Sequence, residues 1–320
     1  MPSKSPIRVA VVAACLLIAP AIFAGTSTGS GTSPRALVPR LLAHDTSNFR
    51  GVARRPAKPG PQLLRAPRTR STSKQTKLPF GIANDRALTD PDVLNPSGDM
   101  GKTQFLVGDH DGYAVFSRTW VAIGGAALAY VSRTSFWAGL GSNVPDAAGL
   151  CATNPQGEPS VAYDWNADRW VVTEAAYKLD GNNNPTGAYV QCVAVSTSSD
   201  ATGTWSRYVY QISTSLYPEH PTLGVWSDGY YLSFDQHASD GTWSGAGALA
   251  LERAKMLTGD PAQARYYDLE NVTPALGGML PASISGTNTP TAGAPELYYV
   301  TPVGAKIDPS VAMPRSIADA

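Results

Sequence analysis

Two related stretches, residues 157–176 (GEPSVAYDWNADRWVVTEAA) and 220–235 (HPTLGVWSDGYYLSFD), constrain this chain more than any other feature. In the first, the runs 160–163 and 169–175 concentrate β-branched and aromatic residues on either side of the polar turn 164–168, the composition of a β-hairpin. The second repeats the pattern more weakly, with 222–226 and 230–234 flanking Ser227-Asp228-Gly229. Each hairpin is followed by two further apolar runs, 190–197 and 206–212 after the first, 248–251 and 265–269 after the second. Glu158-Pro159 and His220-Pro221 hold matching places in the two units. Four strands repeated at a period of about sixty residues is the signature of radially arranged sheets, the blades of an all-β propeller. A β-sandwich also carries closely spaced strands but has no reason to repeat at this period. Only residues 253–258 carry local helical propensity, which excludes the parallel α/β folds and their periodic helices.

Outside the two units the pattern is fragmentary. Residues 104–109 and 113–117 form a third hairpin around His110-Asp111-Gly112, with 120–123 as its third strand. A long irregular connection, 124–157, follows, and 295–303 (PELYYVTPV) reads as the inner hairpin of another unit. The expectation is a propeller domain over residues 95–303, incomplete at two full and two partial blades, with an irregular tail at 304–320. An open arc leaves strand edges that invite association.

Ahead of the domain, Lys4 and Arg8 precede an apolar run at 9–23 that ends in Ala24 and Gly25. This is the layout of a secretory signal, so residues 1–24 are expected to be removed and the protein to be secreted or periplasmic. The run, interrupted by Pro20, is too short for a stable membrane span. Residues 25–94 are rich in Ser, Pro and Arg and lack apolar periodicity, and read as a basic leader without structure of its own, His44 included. Net charge is zero, yet residues 26–80 hold eleven Lys and Arg against one acid, Asp45. The domain is correspondingly acidic, which argues against a nucleic-acid surface. With Cys15 inside the signal, Cys151 and Cys192 remain as an even pair for an oxidising compartment and are expected to be bridged.

Residues 198–205 (SSDATGTW) lie between the third and fourth strands of the first unit, and 239–243 (SDGTW) gives a partial second copy. The first resembles the Asp-box of sialidase-like propellers, matching at Ser198, Asp200, Thr204 and Trp205 with Gly203 one place late. Stretches at 157–170, 192–196, 217–231 and 253–257 together resemble a group of exported bacterial propeller proteins with no settled activity. The resemblance implies fold and compartment. A sialidase would also require three clustered arginines, whereas Arg169, Arg207, Arg253 and Arg265 fall in turns or outer strands, so that activity is not expected.

In a propeller, ligands sit where inner strands and loops meet the channel, which selects Glu158, Glu219, Asp235, His220 and His237 as candidate catalytic groups. Trp165, Trp226 and Trp243 are the candidate sugar-stacking residues, and packing between sheets is the competing role for each. Asp180, Asn182 and Asn184 place oxygens at alternate positions, as calcium loops do, although no bidentate Glu follows and the same residues make ordinary turns. No other cofactor is expected. Three functions remain open: a non-catalytic exported propeller binding an extracellular glycan or protein, a glycoside hydrolase or lyase using paired carboxylates, and a truncated structural remnant of a larger propeller.

Overall fold

The computed structural model describes residues 36–37, 39–49, 96–118, 127–145, 149–269, 276–286 and 298–302. Two strands, β1 (Ala36–Leu37) and β2 (Arg40–Asn48), precede the main body. The first sheet is the antiparallel meander β3 (Ser97–Met100), β4 (Gln104–Gly108), β5 (Gly112–Ser117) and β6 (Ala129–Ser132). The second holds β7 (Ser160–Asp164), β8 (Arg169–Leu179), β9 (Pro185–Ser196) and β10 (Thr204–Ser213). The third holds β11 (Leu216–Val225), β12 (Tyr230–Ala238), β13 (Trp243–Leu251) and β14 (Ala264–Asp268). A fourth, two-stranded sheet pairs β15 (Leu276–Pro281) with β16 (Tyr298–Pro302). The protein is therefore all-β, with the helix Arg253–Thr258 where its local propensity places it and single turns at Arg133–Phe136 and Leu150–Thr153.

The second sheet is apolar on both faces. Val161, Tyr163, Trp170, Val172 and Cys192 enter one core, while Ala162, Val171, Val193, Val195 and Tyr208 enter the next. Burial on both sides explains why VQCVAVS is an unbroken apolar run rather than an alternating one. Successive sheets are joined along their first strands by serine hydroxyls and a carboxylate that accept the next strand's amides. The Val161 amide donates to Ser97 Oγ at 3.0 Å and the Tyr163 amide to Asp99 Oδ2 at 2.8 Å. The Leu223 amide likewise donates to Ser160 Oγ at 3.1 Å. Among the described residues no ladder joins the fourth sheet back to the first.

Two expectations are corrected. Residues 96–132 hold a complete four-stranded sheet, not a partial unit, because Ser97–Met100 and Ala129–Ser132 flank the expected hairpin. SGDM carries one large apolar residue and has no strand signature; its place is set by pairing with β4 and by the amides it accepts. Residues 120–123, the expected third strand, lie outside the described residues, as do the signal segment and the tail.

The leader is likewise not structureless throughout. β2 adds to the outer edge of β10 and β1 to the outer edge of β14. Ladder bonding needs no apolar periodicity, and the side chains that hold β2 are few. Leu42 and Phe49 are buried in the first core, His44 packs on Tyr208 with ring centroids 4.8 Å apart, and Asp45 meets Arg207. The remainder of 25–94 lies outside the described residues.

Two buried ion pairs clamp the second sheet from either side. Glu174, fully buried on β8, accepts from Arg133 at 3.4 Å, from the Tyr113 hydroxyl at 3.0 Å and from the Trp137 indole. Asp164, equally buried at the end of β7, accepts from Arg253 Nε at 2.6 Å and Nη2 at 3.0 Å and from the Tyr230 hydroxyl at 2.9 Å. The sequence placed Arg253 in a turn or an outer strand; it heads the helix after β13 and points inward to the second sheet.

Residues 198–205 span the turn between β9 and β10 and the first two residues of β10. Asp200 Oδ1 accepts from the Thr202 amide at 2.9 Å and from Gln104 of the first sheet at 2.8 Å, and the buried Trp205 indole donates to Ala201 O at 2.9 Å.

Candidate functional site

Cys151 and Cys192 are bridged, with Cα atoms 5.9 Å apart, tying the turn Leu150–Thr153 to β9. The chain leaving that turn is zipped onto the end of β8. The Tyr177 amide donates to Asn154 O at 3.1 Å, the Gln156 amide to Ala175 O at 3.0 Å, and Gln156 Nε2 to Tyr177 O at 2.7 Å. Gly157 follows with φ +88°, and a Cβ there would lie 2.3 Å from His110 Nδ1. Only glycine fits both the conformation and the space, and it delivers Glu158 to the start of β7.

On the third sheet the pairing of β11 with β12 slips between Glu219 and Thr222, and His220 adopts φ +52°. This bulge re-aims the side chains. The His220 amide donates to Glu158 Oε2 at 2.7 Å, and its ring Nε2 lies 3.1 Å from Glu158 Oε1. His220 Nδ1 is 3.9 Å from Glu219 Oε2, and His237 Nε2 is 3.0 Å from that same oxygen. His237 Nδ1 lies 3.2 Å from Gly241 O. Both nitrogens of His237 thus face oxygen atoms of neighbouring groups. Glu158, His220, Glu219 and His237 form one chain of polar contacts bridging two sheets. Exposure falls from 62% for the His220 side chain to 38% for Glu219 and 18% for His237, so the cluster opens outward from a packed base.

That base is aromatic. Tyr217 stacks on His237 at 5.4 Å, and Trp243 meets His237 edge-on at 5.5 Å. Tyr177 packs against Tyr217 at 5.3 Å and against Tyr189 at 5.6 Å. Burial pushes the Tyr177 phenol up, and Tyr217, Glu219 and Glu158 add to the shift; Tyr217 is raised by burial and then by Glu219. Both phenols are neutral at ordinary pH.

Four of the five expected polar groups are thus brought together. Asp235, the register partner of Glu219, accepts instead from the Gly278 amide at 3.1 Å and holds β15 to the third sheet. Of the tryptophans only Trp243 joins the cluster. Trp165 packs edge-on against Tyr163 at 5.2 Å, and Trp226 packs against the core of Tyr231 and Met279. The tyrosine base escaped the sequence reading, although Tyr217 stands in the YPEHP run that carries Glu219 and His220. Asp180 accepts from the Asn182 amide at 2.8 Å and the Asn184 amide at 2.9 Å with Oδ1, and from Asn184 Nδ2 at 3.3 Å with Oδ2. Donors, not acceptors, surround that carboxylate. The arginines serve separate partners, Arg169 capping Ala167 O, Arg207 pairing with Asp45 and Arg253 with Asp164. Comparison with protein-family models, curated proteins and solved structures gives no significant match.

Proposed function

We propose that this chain is an exported propeller of the sialidase-like, Asp-box type that binds an extracellular glycan at the Glu158, Glu219, His220 and His237 cluster without turning it over. The observation that carries the reading is the convergence of those four groups, from two sheets, on the tyrosine and tryptophan base. Carboxylates and imidazoles suit sugar hydroxyls, and aromatic faces suit the apolar faces of a sugar ring. The propeller reading is supported by three four-stranded meanders that follow one another in chain order and bond first strand to first strand. Export is supported by the disulfide and by the signal-like N-terminal residues. Binding is favoured over hydrolysis because each glutamate is already engaged by a histidine and Asp235 caps a neighbouring strand.

A hydrolase remains the second reading, since Glu158 and Glu219 both contact His220. Titration calorimetry against a panel of polysaccharides and oligosaccharides, with a parallel search for released reducing ends, separates the two. Tenfold or weaker binding by Glu219→Gln and His237→Ala at unchanged Tm, with no product, is the expected result. Product release that drops a hundredfold in Glu158→Gln or Glu219→Gln moves the assignment to a hydrolase. A panel on which nothing binds rejects the glycan and leaves a protein partner or the truncated-remnant reading.

A further inference from the structure

β2 is the least conventional strand of the second sheet. It pairs with β10 over Arg40 to Asn48, with one irregularity opposite Val209 and Tyr210, and it enters from more than a hundred residues upstream. Residues 50–95 separate it from β3, a length whose fully extended reach is on the order of 150 Å. No short turn therefore dictates where β2 lies. Its position is set by the ladder and by side chains that include Leu42 and Phe49 in the first core, His44 on Tyr208, and Asp45 on Arg207. Arg207 is 2% exposed. Its Nε and Nη2 meet the two Asp45 oxygens at 2.8 and 2.6 Å, while its remaining donors go to Phe136 O and Ala138 O. Among the described residues, Asp45 supplies the only carboxylate paired with this guanidinium. A neutral strand on the same edge would leave a buried cation without its counter-charge, an expensive arrangement.

We infer that the outer edge of β10 is a strand-recognition site. It reads an extended segment of pattern Leu-x-x-Asp-x-x-x-Phe, with Arg207 as the specificity residue, and is filled here by residues 42–49. Strand addition supplies affinity through main-chain bonds and selectivity through alternate side chains, and the bidentate arginine fixes the register. The occupant that fits is this N-terminal strand itself, so a second copy of the chain can supply it in place of the resident one.

The test uses the full chain with a specific protease site inserted between residues 60 and 61. After cleavage, a fluorescein-labelled peptide of residues 39–50 is added, and polarisation and mass spectrometry follow its incorporation. The expected result is one peptide per chain, displacement of the resident fragment, and at least tenfold weaker incorporation of the Asp45→Asn peptide. Equal incorporation of both peptides overturns Arg207 as the reader, and no incorporation over days overturns exchange altogether. A second experiment leaves the chain uncut. Thr46 and Ser206 are register partners, so full-length Thr46→Cys and Ser206→Cys chains are mixed at high concentration and run on a non-reducing gel. A crosslinked heterodimer supports donation between copies, and its absence in a sample where the Thr46→Cys/Ser206→Cys double variant closes internally refutes it.

Discussion

Replacing Arg253 by Met, which keeps most of the side chain's volume, should cost this protein more than most single substitutions. Asp164 is fully buried and takes both Arg253 donors at 2.6 and 3.0 Å, the Tyr230 hydroxyl at 2.9 Å, and the amides of Asn166 and Ala167 at 3.2 and 3.0 Å. Without Arg253 a buried carboxylate loses its counter-charge, a loss of about 3–5 kcal/mol. For a domain of this size that corresponds to a fall in Tm on the order of 10 °C. The pair holds the third sheet to the second, so urea unfolding should show an unchanged m-value with a lower midpoint. The double variant Arg253→Met/Asp164→Asn should recover at least half of the loss, because it removes the stranded charge along with its partner. A loss below about 1 kcal/mol for Arg253→Met, or a double variant no better than the single, would refute the claim that a buried, mutually dependent pair joins these sheets.

Three further outcomes are expected. Burial raises the Glu174 carboxyl above its ordinary value of 4.5 despite Arg133, Trp137 and Tyr113, so the folded state holds that proton more tightly than the unfolded one; the Glu174 contribution should be complete below pH 4.5 and decline as pH rises through the raised value, and Glu174→Gln should flatten that part of a urea-midpoint-against-pH curve. Cys151→Ser opens a bridge whose ends are 41 positions apart, which in the loop-entropy model removes about 4 kcal/mol and should be visible by calorimetry against the oxidised parent. Millimolar calcium should leave Tm unchanged if the N–H donors on Asp180 mark an ordinary turn, whereas an upward shift that grows with the logarithm of calcium concentration would support the calcium-loop reading of Asp180, Asn182 and Asn184.

What could be read from the residues depended on how each element is held. The hairpins of the second and third sheets were legible because strands buried on both faces carry apolar residues at most positions, as in VAYD and RWVVTEAA. β3 was not, because SGDM is held by its ladder and by the amides that Ser97 and Asp99 accept, none of which leaves a hydrophobic period. β2 was hidden for the same reason, since its ladder, the two core residues Leu42 and Phe49 and the Asp45 carboxylate leave no apolar period in an otherwise basic segment. At the site, the matching places of Glu158 and His220 in the two units did bring them together. The contact of Asp235 was not legible, because it sits opposite Glu219 in the ladder yet accepts from the next sheet, a relation between sheets that no local pattern encodes.

The early position of β2 in the chain bears on how the molecule is assembled. Synthesis runs from the N-terminus, so Asp45 is made first and waits until Arg207, 162 positions later, has been produced. The partner of β1 comes later still, at Tyr266 and Tyr267. Among the described residues the earliest strands made are therefore among the last that can be paired, and the outer edges of β10 and β14 stay bare until β1 and β2 return to them. Contacts of such long range slow folding and lengthen the period in which unpaired edges meet other chains. Among the described residues, the edges of β10 and β14 can be covered only if strands made long before them are still free to return.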